Sequence, residues 1–458
     1  MAKRRKEESL DFSTVNFGEA FQSELSKMCD FEAPDPVLCS TGSSLLDTIV
    51  GGGLSSGKYH VFAAPAHSGK STTCIRTIAN FLNTYQNGLA LWVDGEQATP
   101  PGRLIQLGIP YQHQKDENGN DIIDQNTGLP LPIVNSNNRD DIKWDQRFFR
   151  VPYNVTLEKA FSLIDKCIEI KINYNQEASP LLVVFDSLDS LPSEKEMETD
   201  NVDQAIGQKA KVLGYYMKKF LIKLRQYNIC VIFICHIGKK LGIQGPYEAY
   251  DGKMTTLKDF YLSGGKPIQF YPSNMIFFRS RIGTTIDKEL EDMGIAAGSI
   301  VEATTMKAKS FSNNLCVSLV FNTLKGFDEY PTRFYNMKKN DWFGGSGVSR
   351  YLPEFPDDKF NAKTFFTKLN NDKSFKDKVD ISWNNYLKET YSKYHKIMAT
   401  MIETNQMVDF DNFDSSEAQS YMEDFVNKGD IGETVSQTEN TATFQEENID
   451  NIQIPTVQ

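Results

Sequence analysis

The sequence predicts an α/β fold in which a mostly parallel central sheet is flanked by helices. Four nearly continuous apolar segments are typical of strands that are buried on both faces, and segments of helical periodicity alternate with them. Three further strand-like segments lie beyond a Gly-rich polar stretch that begins after residue 240. We interpret these last three as an antiparallel extension of the sheet.

These patterns assign the elements in chain order. We predict strands at 58–65, 88–96, 181–191 and 229–237, helices at 71–85, 157–174 and 209–227, and the extension at 274–282, 299–309 and 314–323. Between 110 and 147, Asn-Gly and Thr-Gly turn signals separate short β-prone pieces. That pattern predicts a polar hairpin insertion.

The chain of 458 residues is too long for one ordinary domain. Residues 1–36 are polar and contain a short amphipathic stretch, which predicts a helical N-terminal segment for oligomerisation. The core spans 37–330, and the aromatic, charged segment 331–402 is predicted to form a small C-terminal α/β domain. Residues 403–458 are acidic and poor in lysine, which is typical of a disordered tail.

Composition excludes several classes of protein. No run of eighteen apolar residues occurs, so we expect no membrane span. The basic start of the chain has no apolar stretch after it and is therefore not a secretory signal. Seven scattered cysteines form no CxxC pair and no zinc-ligand spacing with the five histidines. We therefore expect a cytoplasmic protein without a structural zinc.

The net charge of −11 at first argues against a nucleic-acid partner. Its distribution changes that view, because thirteen acidic residues and one lysine follow from residue 403 to the end. The remainder of the chain is therefore close to neutral and can carry a local basic surface.

The segment APAHSGKS lies between a predicted strand and a predicted helix, the setting that a phosphate-binding P-loop requires. Backbone N–H groups in such a loop hold phosphate oxygens, Lys70 supplies a point charge, and Ser71 supplies a hydroxyl to Mg²⁺. The usual first glycine is an alanine here. The predicted ATP-binding residues are Ala64, Pro65, Ala66, His67, Ser68, Gly69, Lys70, Ser71 and Thr72.

Acidic residues end two of the predicted strands. LLVVFD delivers Asp186 to the carboxyl end of a buried strand, the Walker B arrangement, where a carboxylate holds Mg²⁺. LWVDGEQ offers Asp94 and Glu96 as candidates to orient or deprotonate an attacking water. Spacing alone does not choose between these two acids.

The segment KAK follows the predicted strand SIVEATTM. On a strand, Lys307 and Lys309 lie on the same side. Taken alone, the pattern fits a solvated edge strand as well as a binding site.

The linear order of these motifs resembles the RecA family of DNA strand-exchange recombinases. The similarity covers residues 37–108 and 150–330 and includes the P-loop, VDGEQATPPGRLIQLGIP, VVFDSLDSLPSEKE, VIFICHIGKKLG and TTMKAKSFSNNLCVSLVF. The resemblance implies a RecA-like P-loop NTPase core and assigns the catalytic role to Glu96 rather than Asp94. It also implies that Lys307 and Lys309 reach the γ-phosphate bound by a neighbouring subunit.

Within that family the pattern most resembles the phage UvsX-type recombinases. His236 replaces a glutamine after the fourth core strand, and the C-terminal part is aromatic, as in KNDWFGG, before an acidic tail. Two features depart from the family. Arg103 stands where many relatives carry an aromatic residue that stacks on adenine, a role that a guanidinium can fill by a cation–π contact. The insertion at 110–147 has no counterpart that we can assign.

The resemblance implies a helical filament on single-stranded DNA that pairs with homologous duplex DNA, with ATP and Mg²⁺ at each interface. His236 would report the γ-phosphate to the following loop, although a buried, hydrogen-bonded histidine is the alternative. Phe17 and Ala20 resemble an FxxA docking motif, although ordinary packing of a short helix explains them too. Single-strand-binding and mediator proteins are further expected partners.

Two DNA-binding loops are expected, at about 193–207 and 238–265. The second combines lysines for phosphate contacts with aromatic residues for base stacking. The predicted DNA-binding residues are Lys209, Lys211, Lys239, Lys240, Lys253, Lys258 and Phe260. Two other functions stay open: a ring helicase with the same core, and a regulatory protein whose assembly is controlled by ATP.

Overall fold

A computed structural model of the chain describes residues 34–134, 142–151, 155–198, 207–239, 260–281, 283–309, 311–323, 325–347 and 349–391. The predicted N-terminal helix, the central part of the second expected loop with Lys240, Lys253 and Lys258, and the acidic tail lie outside these residues. For Lys239 and Phe260 the structure describes the backbone alone.

The strands are numbered in chain order. They are β1 Leu38–Cys39, β2 Leu54–Ser55, β3 Lys58–Ala64, β4 Leu89–Asp94, β5 Phe148–Val151, β6 Leu181–Asp186, β7 Ile229–Lys239, β8 Phe260–Leu262, β9 Asn274–Arg281, β10 Gly298–Ala308, β11 Cys316–Asn322, β12 Gly326–Phe327, β13 Gly344–Ser346, β14 Ser349–Leu352 and β15 Phe355–Phe360. The short β1 and β2 pair with each other outside the main sheet.

The helices are numbered in the same way. They are α1 Ser44–Ile49, α2 Lys70–Thr84, α3 Pro101–Gln106, α4 Leu157–Asn173, α5 Glu194–Glu198, α6 Gln208–Gln226, α7 Lys266–Phe270, α8 Thr284–Asp292, α9 Glu329–Lys339, α10 Ala362–Asn371 and α11 Lys373–Tyr391. Across the described ranges, no helix combines the length and apolar character needed to cross a bilayer.

The main sheet has the strand order β12-β11-β10-β9-β3-β7-β6-β4-β5. From β9 to β5 all neighbours run parallel, and from β9 to β12 all neighbours run antiparallel. The predicted fold class, a mostly parallel sheet with an antiparallel extension, is confirmed.

Two apolar clusters cover the two faces of this sheet. On one face α2 buries Cys74, Ile78 and Leu82 against the sheet. On the other face α4 and α6 bury Phe161 and Phe220, which pack together with ring centroids 5.5 Å apart. Strands buried on both faces need apolar side chains in both directions, which explains the unbroken apolar runs in the sequence.

The register of the parallel strands brings polar residues to one edge. Ala64 at the end of β3 pairs with His236 of β7, and Asp94 at the end of β4 pairs with Asp186 at the end of β6. Loops that leave the carboxyl ends of neighbouring parallel strands meet at one edge of the sheet, where ligands of such folds bind. We call this edge the carboxyl edge.

Two further regions are joined to this core. Residues 111–134 and 142–144 are linked by isolated antiparallel bridges, such as Tyr111 with Trp144 and Ile123 with Pro130. The strands β13 to β15 form a separate three-stranded sheet, and α9, α10 and α11 pack in the same apolar cluster as β11. The predicted limits of the insertion and of the C-terminal domain stay predictions.

Candidate nucleotide site

The loop between β3 and α2 carries the predicted P-loop. Gly69 has φ 81°, in the left-handed region, and caps the N-terminus of α2. A Cβ atom on Gly69 would lie 3.0 Å from the ring of Phe321. Glycine is therefore required at this position both by backbone conformation and by space.

Lys70 is the first residue of α2 and is only 5% exposed. Its Nζ donates to the carbonyl oxygens of Ala64, at 3.1 Å, and Pro65, at 2.7 Å. Burial lowers the pKa of Lys70, and the carboxylates of Glu96 and Asp186 oppose that effect. The ammonium group is thus held inside the loop by neutral acceptors that phosphate oxygens can replace.

Ser71 and Asp186 lie opposite each other at the same edge. The Ser71 hydroxyl donates to Asp186 Oδ1 at 3.1 Å, and Asp186 is 3% exposed. Burial raises the pKa of Asp186 to about 7, and the nearby carboxylates of Asp94 and Glu96 add to the rise. A hydroxyl and a carboxylate in contact are oxygen donors of the type that Mg²⁺ prefers, so these two residues fit the predicted metal role.

The two acids of the segment DGE have different surroundings. The Asp94 side chain is 2% exposed and forms an ion pair with Arg150 at 2.6 Å. The Glu96 side chain is 37% exposed. Burial alone would raise the pKa of Glu96, but the neighbouring Ser187 and His236 side chains and Lys70 bring it below its ordinary value. Glu96 is therefore the acid that is both ionised and accessible, as a general base must be.

His236 joins Glu96 to the end of β7. Its Nε2 lies 3.0 Å from Glu96 Oε1, within hydrogen-bond distance, and its backbone N–H donates to Asp189 Oδ2 at 2.7 Å. Lys209 at the start of α6 donates to the carbonyl oxygens of Leu188, at 3.3 Å, and Asp189, at 3.0 Å. The turn after β6 is thus bonded both to His236 and to a residue predicted to bind DNA.

Three residues of this edge escaped the sequence reasoning. Arg150 pairs with Asp94 across 56 residues of sequence, Asp189 accepts from the His236 backbone, and Phe321 limits the space at Gly69. The signal for Asp189 was its place in FDSLD, three residues after Asp186. Arg150 lies in a short strand that carries no motif, and Phe321 ends the segment TTMKAKSFSNNLCVSLVF, in which only the two lysines were singled out.

The predicted lysine pair lies elsewhere. Lys307 pairs with Met275 near the start of β9, and the Lys309 backbone N–H donates to Ser273, whose own N–H donates to Tyr59 near the start of β3. Buried Ala308 separates the partly exposed Lys307 from the exposed Lys309. Because β3 runs from Lys58 to the P-loop, both lysines lie at the opposite, amino edge of the parallel strands.

The other predicted residues surround the carboxyl edge. Arg103 is half-buried on α3, directly after the Asp94–Thr99 turn, and donates to Gln106 Oε1 at 2.7 Å. Lys211 is exposed on α6. Lys239 of β7 pairs with Phe260 of β8 in an antiparallel ladder that also joins Ile237 to Leu262. The ladder begins at Ile237, one residue after His236, and its two strands bracket the segment 240–259.

Comparison with known proteins points in the same direction as this geometry. The family model of the RecA N-terminal domain matches residues 162–311. Protein RecA of Nostoc sp. (strain PCC 7120 / SAG 25.82 / UTEX 2576) is 26% identical over 255 residues, which are 56% of this chain and 56% of that protein. Protein RecA of Synechococcus sp. (strain CC9605) is 27% identical over 258 residues, 56% of this chain and 54% of that protein. The chain spans about half the length of the curated relatives it matches.

Proposed function

We propose that this chain, a distant relative of RecA-family proteins, is an ATP-dependent DNA recombinase. In this proposal it forms helical filaments on single-stranded DNA and catalyses homologous pairing and strand exchange, in recombination, repair and recombination-dependent replication. The observation that carries the proposal is the bond from Glu96 to His236, one residue before the β7–β8 ladder that brackets an expected DNA loop. This contact joins a nucleotide site to a candidate DNA site.

The proposed reaction is hydrolysis of ATP to ADP and phosphate. Glu96 orients the attacking water and takes its proton, while Lys70 and the loop N–H groups bind phosphate oxygens. Ser71 and Asp186 are the residues that would hold Mg²⁺, which offsets negative charge on the phosphates when it is bound. Arg103, on α3 just after the turn that carries Glu96, is proposed to stack on the adenine by a cation–π contact.

The proposed coupling of DNA to ATP runs through β7. Any movement of Glu96 toward a γ-phosphate changes its hydrogen bond to His236, and His236 adjoins the ladder that ends at Lys239 and Phe260. Lys209 and Lys211 are proposed to contact DNA from the start of α6. Lys240, Lys253 and Lys258 are proposed to do so from the segment between the ladder strands.

The assembly is supported by the position of the lysine pair. Lys307 and Lys309 lie at the amino edge, whereas Lys70 lies at the carboxyl edge of the same sheet. By register, Lys307 lies level with Val61 and Lys309 lies near Tyr59, about 10 Å and about 16 Å before the end of β3 at about 3.3 Å per residue. Lys307 Nζ donates to the carbonyl oxygens of Gln269 and Phe270, which precede β9, away from the P-loop. In this proposal both lysines therefore act on the ATP of a neighbouring copy, which makes the chain a homo-oligomer.

The finer features of the proposal come from the sequence. His236 in place of glutamine, the aromatic segment around Trp342 and the acidic tail support a phage UvsX-type recombinase that works in the host cytoplasm. Its proposed partners are single-stranded DNA, homologous duplex DNA, and single-strand-binding and mediator proteins.

Electron microscopy of the full chain with single-stranded DNA tests the proposal. Open helical filaments are expected with a slowly hydrolysed ATP analogue and are expected to be lost in Lys70→Ala. Closed rings would favour a helicase with the same core. Bare DNA in the presence of nucleotide would favour a regulatory protein whose assembly is controlled by ATP.

A further inference from the structure

We propose that Arg150 is a positioning residue for Glu96, because it ties both ends of the turn that carries Glu96 to the edge strand β5. This inference rests on the proposed ATP hydrolysis, but it does not depend on DNA binding. Arg150 contacts neither the P-loop nor Glu96 in the described contacts of its side chain, so its proposed effect is indirect.

The contacts of the guanidinium are short and converge on one turn. Arg150 Nη2 donates to Asp94 Oδ2 at 2.6 Å and to the carbonyl oxygen of Thr99 at 2.9 Å. The guanidinium also lies 5.0 Å from the ring centroid of Trp92, its register partner on β4. Asp94 and Thr99 are the first and last residues of the turn, and Glu96 lies between them.

Two further hydrogen bonds hold the backbone of the turn. The backbone N–H of Gln97 donates to Asp94 Oδ1 at 2.9 Å, and Gln97 itself has φ 51°. The N–H of Gly95 donates to the carbonyl oxygen of Asp186 at 2.7 Å. The Asp94 carboxylate therefore accepts from Arg150 with one oxygen and, with the other, from the backbone N–H of the residue after Glu96.

The charge of Arg150 has a second consequence at this edge. The carboxylates of Asp94 and Glu96 raise the pKa of Asp186, and that of Glu96 raises the pKa of Asp94. Arg150 offsets the charge of the buried Asp94, whose Oδ2 accepts from Arg150 while its Oδ1 accepts from the Gln97 N–H. A misplacement of a reacting group by about 1 Å can slow a reaction by about 100-fold, which sets the scale of the expected effect.

The test compares Arg150→Gln with Arg147→Gln in the full chain. Arg147 is a matched control because it is 24% exposed against 22% for Arg150, and it also pairs with an aspartate, Asp145, at 2.9 Å. We expect Arg150→Gln to lower kcat for ATP by about 10- to 100-fold and to leave the affinity for an ATP analogue within about threefold. Arg147→Gln should leave kcat unchanged at a similar loss of Tm.

A second readout follows Glu96 directly. The ring NMR signals of His236, identified with His236→Gln, should shift in Arg150→Gln and not in Arg147→Gln, because His236 Nε2 contacts Glu96. Arg150→Lys should recover part of kcat, since lysine restores the charge but makes fewer hydrogen bonds.

Two results would overturn the inference. One is an unchanged kcat in Arg150→Gln, and the other is a parallel fall of kcat, analogue affinity and Tm in both arginine variants. A wild-type chain that hydrolyses ATP without any response to DNA would contradict the recombinase proposal, yet the comparison of the two arginine variants would still decide the role of Arg150.

Discussion

The two edges of the parallel strands differ in how their charges are compensated. At the carboxyl edge, basic side chains and carboxylates of one chain meet: Arg150 pairs with Asp94, the His236 ring lies against Glu96, and Lys70 lies near Asp186. At the amino edge, lysines meet one another. Lys307 donates only to main-chain carbonyl groups in its described contacts, those of Gln269 and Phe270.

This excess of positive charge contributes to lowered pKa values of lysines at the amino edge. Burial lowers the pKa of Lys307, and the neighbouring Lys309 lowers it further. Burial, Lys309 and Arg225 likewise lower the pKa of Lys58. An edge of like charges is stabilised by an incoming anion, whereas the carboxyl edge already has its own counter-charges. The comparison supports the proposal that the two edges are complementary halves of a site shared between copies of the chain.

The largest effect is expected from replacing the proposed general base at the carboxyl edge. Glu96→Gln should lower ATP turnover by about 10³-fold, within the range of about 10²- to 10⁴-fold for general bases, because the amide cannot accept the proton. Filaments with ATP should persist, since Lys70 and Ser71 are unchanged. A coupled phosphate-release assay and microscopy on the same samples measure both.

Glu117→Gln is the control for this change, because Glu117 is exposed in the insertion. Turnover within threefold of wild type in Glu96→Gln would show that another group acts as the base.

The next prediction tests whether Lys307 and Lys309, at the amino edge of one copy, act on ATP bound at the carboxyl edge of another copy. Lys307→Ala/Lys309→Ala should lose about 100-fold or more in turnover, on the scale of losing a charge that stabilises the transition state. Lys70→Ala should also be inactive, but because it lacks the charge that binds phosphate oxygens at the carboxyl edge. Mixed in equal amounts, these two variants should recover up to about a quarter of wild-type turnover, the fraction of randomly formed interfaces with both intact halves.

Recovery in the mixture is the decisive measurement, made as turnover against the mixing ratio. Turnover that stays at the sum of the two separate variants would mean that the lysines act within their own chain or have no catalytic role.

A smaller effect is expected where the carboxyl edge meets the DNA loops. Asp189→Asn removes the charge from the acceptor of the His236 backbone N–H, a bond worth about 1.5–3 kcal/mol when one group is charged. We expect DNA-stimulated turnover to fall about three- to tenfold while turnover without DNA changes less than twofold. The ratio of the two rates is the measurement.

Asp377→Asn, at an exposed position on α11, serves as the control. An equal fall of both rates in Asp189→Asn would indicate a defect in the nucleotide site rather than in its coupling to DNA.

The main sheet was predictable because its strands are apolar on both faces and its helices are amphipathic. The candidate P-loop and Asp186 could be proposed from the sequence because their chemistry depends on short spacings that stay visible along the chain, and the structure brings Lys70, Ser71 and Asp186 to one edge. The sequence alone did not choose between Asp94 and Glu96 as the base, and the proposal for Glu96 came from the resemblance to a family. The structure adds that Asp94 pairs with Arg150, which lies 56 residues away in the sequence.

Longer-range relations were not visible in the sequence. Alternation placed Lys307 and Lys309 on one side of a strand, but only the strand order shows that they lie at the edge opposite Lys70. Arg150 is one basic residue in the short segment FFRV, and the pattern of a strand does not reveal which neighbour it will pair with.

The last expected effect concerns stability rather than turnover: the pH dependence of unfolding at the carboxyl edge. Burial raises the pKa of Asp186 to about 7 from its ordinary value of 3.8. The folded chain therefore binds a proton that the unfolded chain has already released between these pH values. Relative to Asp186→Asn, the free energy of unfolding should fall as pH rises from about 4 to about 7, by up to about 1.4 kcal/mol per pH unit, and then level off.

Urea unfolding of both proteins without nucleotide or Mg²⁺, at several pH values, measures this difference. Asp145→Asn is the control, for which the opposite pH dependence is expected. Burial raises the pKa of Asp145, but Arg147 brings it below its ordinary value. The contribution of ionised Asp145 to the free energy of unfolding is therefore lost as pH falls. Parallel curves for wild type and Asp186→Asn would mean that Asp186 is ionised at neutral pH without a cation. The carboxyl edge would then compensate its own charges fully, and its contrast with the amino edge would be sharper than the raised pKa of Asp186 implies.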